Sequence, residues 1–194
     1  MPNWCTNYLI ITGEESEVEK FINQIPLGEG GNGQDLFQKF VPIGDYDRET
    51  AIEKWGTKWD VDEIDMSSWE HKDGRHHDGT YSWYANLQTA WAPPVEAITA
   101  ISATFPELDF GMSWHEEGMC FYGYAFMKDG ELLHRVDGDL PDFYYLAEEK
   151  LDSRNNPDID DEDVAQEASN MEYNFIDNIE DQLSEVMDTN RMNA

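Results

Sequence analysis

The 194-residue chain is poor in positive charge, in cysteine and in long apolar runs. It carries 12 Lys and Arg against 42 Asp and Glu, a formal net charge of −30. A field of that sign repels phosphates and anionic headgroups, which excludes direct binding to nucleic acid or to an anionic membrane. Two cysteines, Cys5 and Cys120, are too few for a disulfide framework. Both fall in apolar, strand-like segments and read as buried free thiols. No apolar run approaches the roughly 18 residues of a membrane span. No basic-then-apolar leader opens the chain, so the expected location is the cytoplasm of a host cell. Walker, CxxC and Ser-His-Asp patterns are also missing. The chain accordingly reads as a non-enzyme, with no catalytic residue, no cofactor and no metal.

What is present is aromatic. Seven Trp, nine Tyr and nine Phe make 13% of the residues, which a disordered acidic chain would lack. Residues 3–12 read as a central strand, apolar on both faces around Tyr8-Leu9-Ile10-Ile11. Val18, Phe21, Ile22 and Ile25 then fall at helical spacing, with Ser16 as the expected cap and Pro26 as the stop. The glycine-rich GEGGNGQD (28–35) lacks the Lys-Ser/Thr of a phosphate loop and reads as a plain loop. RETAIEKWG reads as a short helix closed by Gly56. KWDVDEIDM reads as an edge or half-exposed strand.

Further on, TYSWYANLQTAW alternates as a strand, with Trp83, Ala85 and Leu87 on one face and Tyr84 on the other. Pro93-Pro94 opens a helix whose buried stripe is Val95, Ile98, Ile101 and Phe105. LDFGMSWHEE is the next strand, and MCFYGYAFMKDGELLHRVDG is a β-hairpin turning at Lys-Asp-Gly. Stripped of insertions the order is β-α-β-β-α-β, the ferredoxin-like split βαβ of an α+β fold. Two helices cover one face of its antiparallel sheet. The second face, rich in Trp and Tyr, needs a separate cover or stays exposed for binding.

The chain divides into 1–136, the ferredoxin-like domain, and 137–194, an acidic helical C-terminal extension. The extension holds 18 of the 42 acids and 3 of the 12 bases. Its apolar residues Val164, Ala168, Met171, Phe175, Ile179, Leu183 and Val186 repeat at steps of three and four, which predicts one long amphipathic helix. The stripe can dock on its own sheet, on a second copy or on a partner.

Four short stretches stand together: MPNWCTN at the start, WGTKWD at 55–60, TAWAPP at 89–94 and EEGMCFYG at 116–123. Their order and wording resemble the YubB-type ferredoxin-like domain family of plasmids and phages, over about residues 1–125. The resemblance implies a ferredoxin-like fold and a mobile-element origin, and it carries no established activity. The acidic helix lies outside the shared pattern. From the residues themselves, Trp4 is expected to pack against the WGTKW and AWAPP corners. Asn3, Asn7, Thr57 and Glu116 are candidate partners for the indole N–H groups. The same corner supplies a candidate ligand pocket of Trp4, Asn7, Trp55, Thr57, Trp59, Trp91 and Glu116.

Three other groups bear on chemistry. His71, His76 and His77, with Asp73 and Asp78, have ligand atoms but no metal-site spacing, and read as a solvated loop. His115 with Glu116 and Glu117 has acid–base types, but neighbours in a strand face opposite ways. Pro2, freed by removal of Met1, would offer a secondary amine for tautomerase-like chemistry.

The leading expectation is a phage- or plasmid-encoded protein that inhibits or modulates a host defence or nucleic-acid-processing protein. It would do so by nucleic-acid mimicry. The expected partner is a basic, nucleic-acid-binding host protein, met by Asp158, Asp160, Asp161, Glu162, Asp163, Glu167, Glu172, Asp177, Glu180, Asp181, Glu185 and Asp188. The alternatives are a small-molecule-binding or enzymatic domain at the Trp corner, and a homodimer paired through the long helix.

Overall fold

Trp4–Gly13 forms strand β1, whose interior residues are buried on both faces. It is flanked by β3 (Tyr81–Ala90) and β4 (Asp109–Glu116), antiparallel to each. Beyond β3 lies the short β2 (Glu63–Asp65). Beyond β4 lie β5 (Phe121–Lys128) and β6 (Glu131–Asp139). The sheet order is β2-β3-β1-β4-β5-β6, antiparallel throughout. With helix α1 (Glu15–Ile22) after β1 and helix α4 (Val95–Ser102) after β3, the first four strands form the ferredoxin-like split βαβ. The expected hairpin adds two strands beyond the fourth. Its turn residues Asp129 and Gly130 have φ of 49° and 78°, the left-handed pair that a tight hairpin requires and that Asp-Gly supplies. The structure is a computed structural model that describes residues 3–26, 35–61, 63–65, 76, 79–154, 156 and 158–192. Pro2, His71, Asp73, His77, Asp78 and all of the glycine-rich loop except Asp35 lie outside them.

One face of the sheet carries Cys5, Leu9 and Ile11 of β1, Ala85 and Leu87 of β3, and Phe110, Met112 and Trp114 of β4. It is covered by Val18 and Phe21 of α1 and by Val95, Ala97, Ile98 and Ile101 of α4. Two further helices extend this layer, α2 (Leu36–Phe40) and α3 (Arg48–Trp55), the second closed by Gly56 at φ 81° as expected. Ser16 does not cap α1. Glu14 holds the N-cap position, and no side chain bonds there.

Period two sends Tyr8 and Ile10 of β1 and Tyr124 and Phe126 of β5 to the opposite face. Helix α6 (Asp161–Met192) covers it with Ile179, Leu183 and Met187, and Phe175 and Val186 pack at the margin. The amphipathic helix thus docks on its own sheet through the part of its stripe between Phe175 and Met187. Gly111 of β4 makes room for it. A β-carbon at that position would come within 2.3 Å of Met187 Sδ. Helix α5 (Phe143–Leu151) leads into α6 and is tied to it by the Phe143–Phe175 ring contact at 5.5 Å and by Lys150–Glu167 at 2.6 Å. At the far end Arg191 Nε lies 3.4 Å from the buried Asp109, which also accepts from Lys128 at 2.7 Å. The expected boundary at residue 136 falls inside β6, and the extension shares a hydrophobic cluster with the sheet.

Cys5 is buried as expected, and burial, with the Glu116 charge behind it, pushes its thiol pKa up. Cys120 is not buried. It sits exposed at φ 55° as the last of the four turn residues, 117–120, between β4 and β5. Among the described residues no helix is long and apolar enough to cross a membrane.

Candidate functional site

Docking of α6 sorts its acids by position. Asp158, Asp161, Glu162, Asp177, Asp181, Glu185 and Asp188 are exposed. Asp160 and Asp163 are exposed too, but they are occupied. Asp160 Oδ1 accepts from the backbone N–H groups of Glu162 and Asp163 at 3.0 Å, and Asp163 Oδ2 accepts from the N–H of Asp160 at 3.1 Å. This reciprocal box caps the helix. Asp160→Ala is expected to lower stability by about 1 kcal/mol, read by urea denaturation. Charge reversal at this pair would therefore test the cap as much as any partner.

Glu167, Glu172 and Glu180 are half-buried. Glu167 is held by Lys150. Glu172 is pushed above the usual carboxylate range by burial first and by the charge of Glu117 second. Glu180 faces Tyr8, whose hydroxyl is pushed up by burial and then by that charge. The carboxylates that remain at the solvent side form a row at steps of four, Asp177, Asp181 and Glu185, continued by Asp188, which Arg191 approaches at 3.5 Å. Like charges at i, i+4 destabilise a helix by roughly 0.2–0.5 kcal/mol per pair. The row is thus not explained by the stability of α6.

The Trp corner has a different character. Trp4 meets Trp59 edge-on at 6.4 Å, yet it stays 38% exposed. Each residue of WGTKWD has a packing role. The Trp55 indole donates to Val41 O at 2.8 Å, and Gly56 ends α3. Thr57 donates to Ala90 O at 2.9 Å, and the Lys58 ammonium lies 4.1 Å from the Trp91 ring centre. The Asp60 carboxylate accepts from the N–H groups of Phe37 and Gln38 and so caps α2 from a distance. Burial raises the Asp60 pKa against the pull of those donors.

Among the described residues none of the four candidate polar groups bonds an indole. The Asn3 carbonyl accepts from Trp91 N–H, so the bond joins the chain start to the backbone after β3. Asn7 donates to Cys5 O, Leu87 O and Thr89 Oγ1 inside the core. Glu116 accepts from Gly118 and Met119 N–H groups. Asn7, Trp55 and Thr57 are buried in packing. A hollow of about 350 Å³ beside this corner contains Trp4 and Glu116 of the candidate pocket set, together with His115 and Glu117. Burial holds the His115 pKa low, and Glu117 opposes that.

Sequence reasoning missed two arrangements because each is assembled from distant segments. His76 Nε2 lies 2.7 Å from Ser82 Oγ, which is 2.6 Å from Thr12 Oγ1. The first contact has the distance of a nucleophile–base pair. However, Ser82 is 4% exposed beside a cavity of about 60 Å³, too small for an acyl substrate. The other is a cleft of about 570 Å³ where the β4–β5 turn, the start of α5 and the middle of α6 meet. Among the described residues no group of three or more His, Cys, Asp or Glu is placed to hold a metal ion.

Comparison with known proteins bears on the fold. The family model for the ferredoxin-like domain in Api92-like protein matches residues 66–177. The match runs past residue 125 and takes in the first half of α6, which the sequence reading placed outside the shared pattern. Of solved structures, the chain is similar to the crystal structure of a protein api92 from Yersinia pseudotuberculosis. The identity is 14%, over 54% of this chain and 40% of that one, with a TM-score of 0.40. No curated protein matches. The matched span holds β3 to β6, α4, α5 and the start of α6, and the chain belongs to the family of ferredoxin-like domains in Api92-like proteins.

Proposed function

We propose that this is a phage- or plasmid-encoded acidic protein, related to the YubB-type domains, that inhibits or modulates a host defence or nucleic-acid-processing protein. It occupies the basic surface where that protein binds nucleic acid. One observation carries the reading: the apolar stripe of α6 from Phe175 to Met187 packs on its own sheet, so Asp177, Asp181, Glu185 and Asp188 are held outward on a rigid support. These four carboxylates span about 16 Å of helix axis, one per roughly 5 Å, against one phosphate per about 3.4 Å of a DNA strand. The row is sparser than DNA, and the exposed Asp158, Asp161 and Glu162 at the helix start add to it. The partner's Lys and Arg would meet carboxylates in place of phosphates, which makes the interaction competitive and salt-sensitive.

The test uses a partner captured by the full chain from a bacterial host and then purified. Its affinity is expected to fall steeply with salt, and nucleic acid is expected to compete. The triple variant Asp177→Asn, Asp181→Asn, Glu185→Gln should bind about tenfold more weakly with its fold intact, since all three side chains are at the surface. Unchanged affinity in that variant, or simultaneous binding of nucleic acid and this protein, would overturn the proposal.

A further inference from the structure

The 570 Å³ cleft combines apolar walls with charge of one sign. Leu140, Pro141 and Ala168 contribute hydrocarbon, whereas Glu117, Asp142 and Glu172 contribute carboxylates. Among the described residues no Lys or Arg lines it. Lys150, on α5, is turned to Glu167 instead. Glu172 comes from α6 and Glu117 from the β4–β5 turn, so the two charges are brought together only by the docking of α6. Their repulsion adds to the burial that raises the Glu172 pKa, and a cation between them would relieve both effects.

The aromatic rim fits the same occupant. Phe143 and Tyr144 line the cleft, and Tyr144 remains exposed. Long cationic side chains lay their methylene stems on apolar walls and present their heads to carboxylates. A guanidinium also makes a planar fork for carboxylates and stacks on rings, which an ammonium does less well. A volume of this size holds a side chain with its flanking backbone.

We infer that the cleft between the β4–β5 turn, α5 and α6 receives an arginine side chain, carried on an exposed segment of a basic partner protein, with Glu117 and Glu172 as its anionic anchors. This deepens the proposed function and rests on it for the identity of the partner as a basic protein. It concerns a site separate from the outward row on α6.

Cys120 provides the readout. It lines the cleft with an exposed thiol, while Cys5 is fully buried, so a neutral maleimide should alkylate Cys120 first in the native protein. The probes are the peptide acetyl-Ala-Ala-Arg-Ala-Ala-amide, its lysine and citrulline versions, and spermidine. The arginine peptide is expected to slow alkylation of Cys120 saturably. The lysine peptide should need a higher concentration, and citrulline should give no protection. Glu172→Gln should raise the half-protecting concentration about fivefold. Ala165→Phe, which fills the cleft and keeps every carboxylate, should abolish protection.

Equal protection by citrulline or spermidine would overturn the assignment of arginine. Full protection in Ala165→Phe, or none in the wild-type chain up to peptide solubility, would overturn the cleft. The two proposals fail separately. If the peptide protects Cys120 but the triple α6 variant keeps full affinity for the partner, the outward row is refuted and the cleft stands. If the triple variant loses affinity and no peptide protects, the reverse holds.

Discussion

Leu183→Ala is expected to lower the unfolding free energy by about 2–5 kcal/mol. Leu183 is fully buried at the centre of the face formed by Tyr8, Ile10, Tyr124 and Phe126, between Ile179 and Met187 of its own helix. Its Cδ1 is among the atoms nearest to where a side chain on Gly111 would begin, so helix and sheet are already at close approach. Such a site cannot collapse around the lost methyl groups without the whole helix moving, which places the cost in the upper part of that range. The midpoint of thermal unfolding should fall by about 2–4 °C for each kcal/mol. Hydrogen exchange separates two origins of the loss. Amides of α6 between Phe175 and Met187 should gain exchange first, before those of β1. A loss under about 1 kcal/mol, at the low end for single substitutions, would mean that α6 does not rest on the sheet. The outward acidic row would then have no fixed support.

Phe21→Ala should be the most damaging single change, at about 3–5 kcal/mol. Phe21 of α1 is 1% exposed and meets Phe105 at 5.2 Å, Trp83 at 5.8 Å and Phe110 at 5.8 Å, all edge-on, and stacks on Phe40 at 6.0 Å. It therefore joins α2, β3, the turn after α4 and β4. Each aromatic pair adds roughly 0.5–1.5 kcal/mol beyond the area buried. Domains are stable by only about 5–15 kcal/mol in all, so this variant approaches the unfolded state at ordinary temperature. Near-ultraviolet circular dichroism and a urea titration would measure it. Phe21→Leu, which keeps most of the volume, should recover more than half of the loss. Equal losses for the leucine and alanine variants would show that edge-on ring geometry matters more than filled volume.

The two faces of the sheet differ in how much could be read in advance. The first was legible because its pattern is local. Val18 and Phe21, then Val95, Ile98 and Ile101, announce their helices by spacing, and each helix follows the strand that it covers. The hairpin was legible from Asp129-Gly130 for the same reason. The length and stripe of α6 were visible too. Its destination was not, because period 3.6 fixes which side of a helix is apolar and leaves open what that side meets. Gly111 was the one local sign of close approach, and a glycine inside a strand has several meanings.

The stretches MPNWCTN, WGTKWD and TAWAPP show how little a residue list says about pairing. Trp and Asn close together in short stretches suggest a pocket. In the fold, Asn7 ties β1 to β3, Asp60 caps α2 and Thr57 holds the end of β3, so most of the conspicuous polar groups are consumed by backbone. A buried polar group has to be paired wherever the chain leaves it, and a residue list does not show which pairing wins. The misreading of Cys120 has the same origin. Its apolar neighbours belong to β5, while the residue itself serves the turn.

By itself the sequence determined the ferredoxin-like order of elements, the strong negative charge and the amphipathic character of the last helix, since each follows from composition or from spacing along one segment. Only the tertiary structure decided that α6 closes the second face of its own sheet, which of its acids stay outside, and that Glu117 and Glu172 come to share a cleft with an exposed thiol. Those outcomes depend on contacts between residues more than 50 positions apart, whose energies no local period encodes.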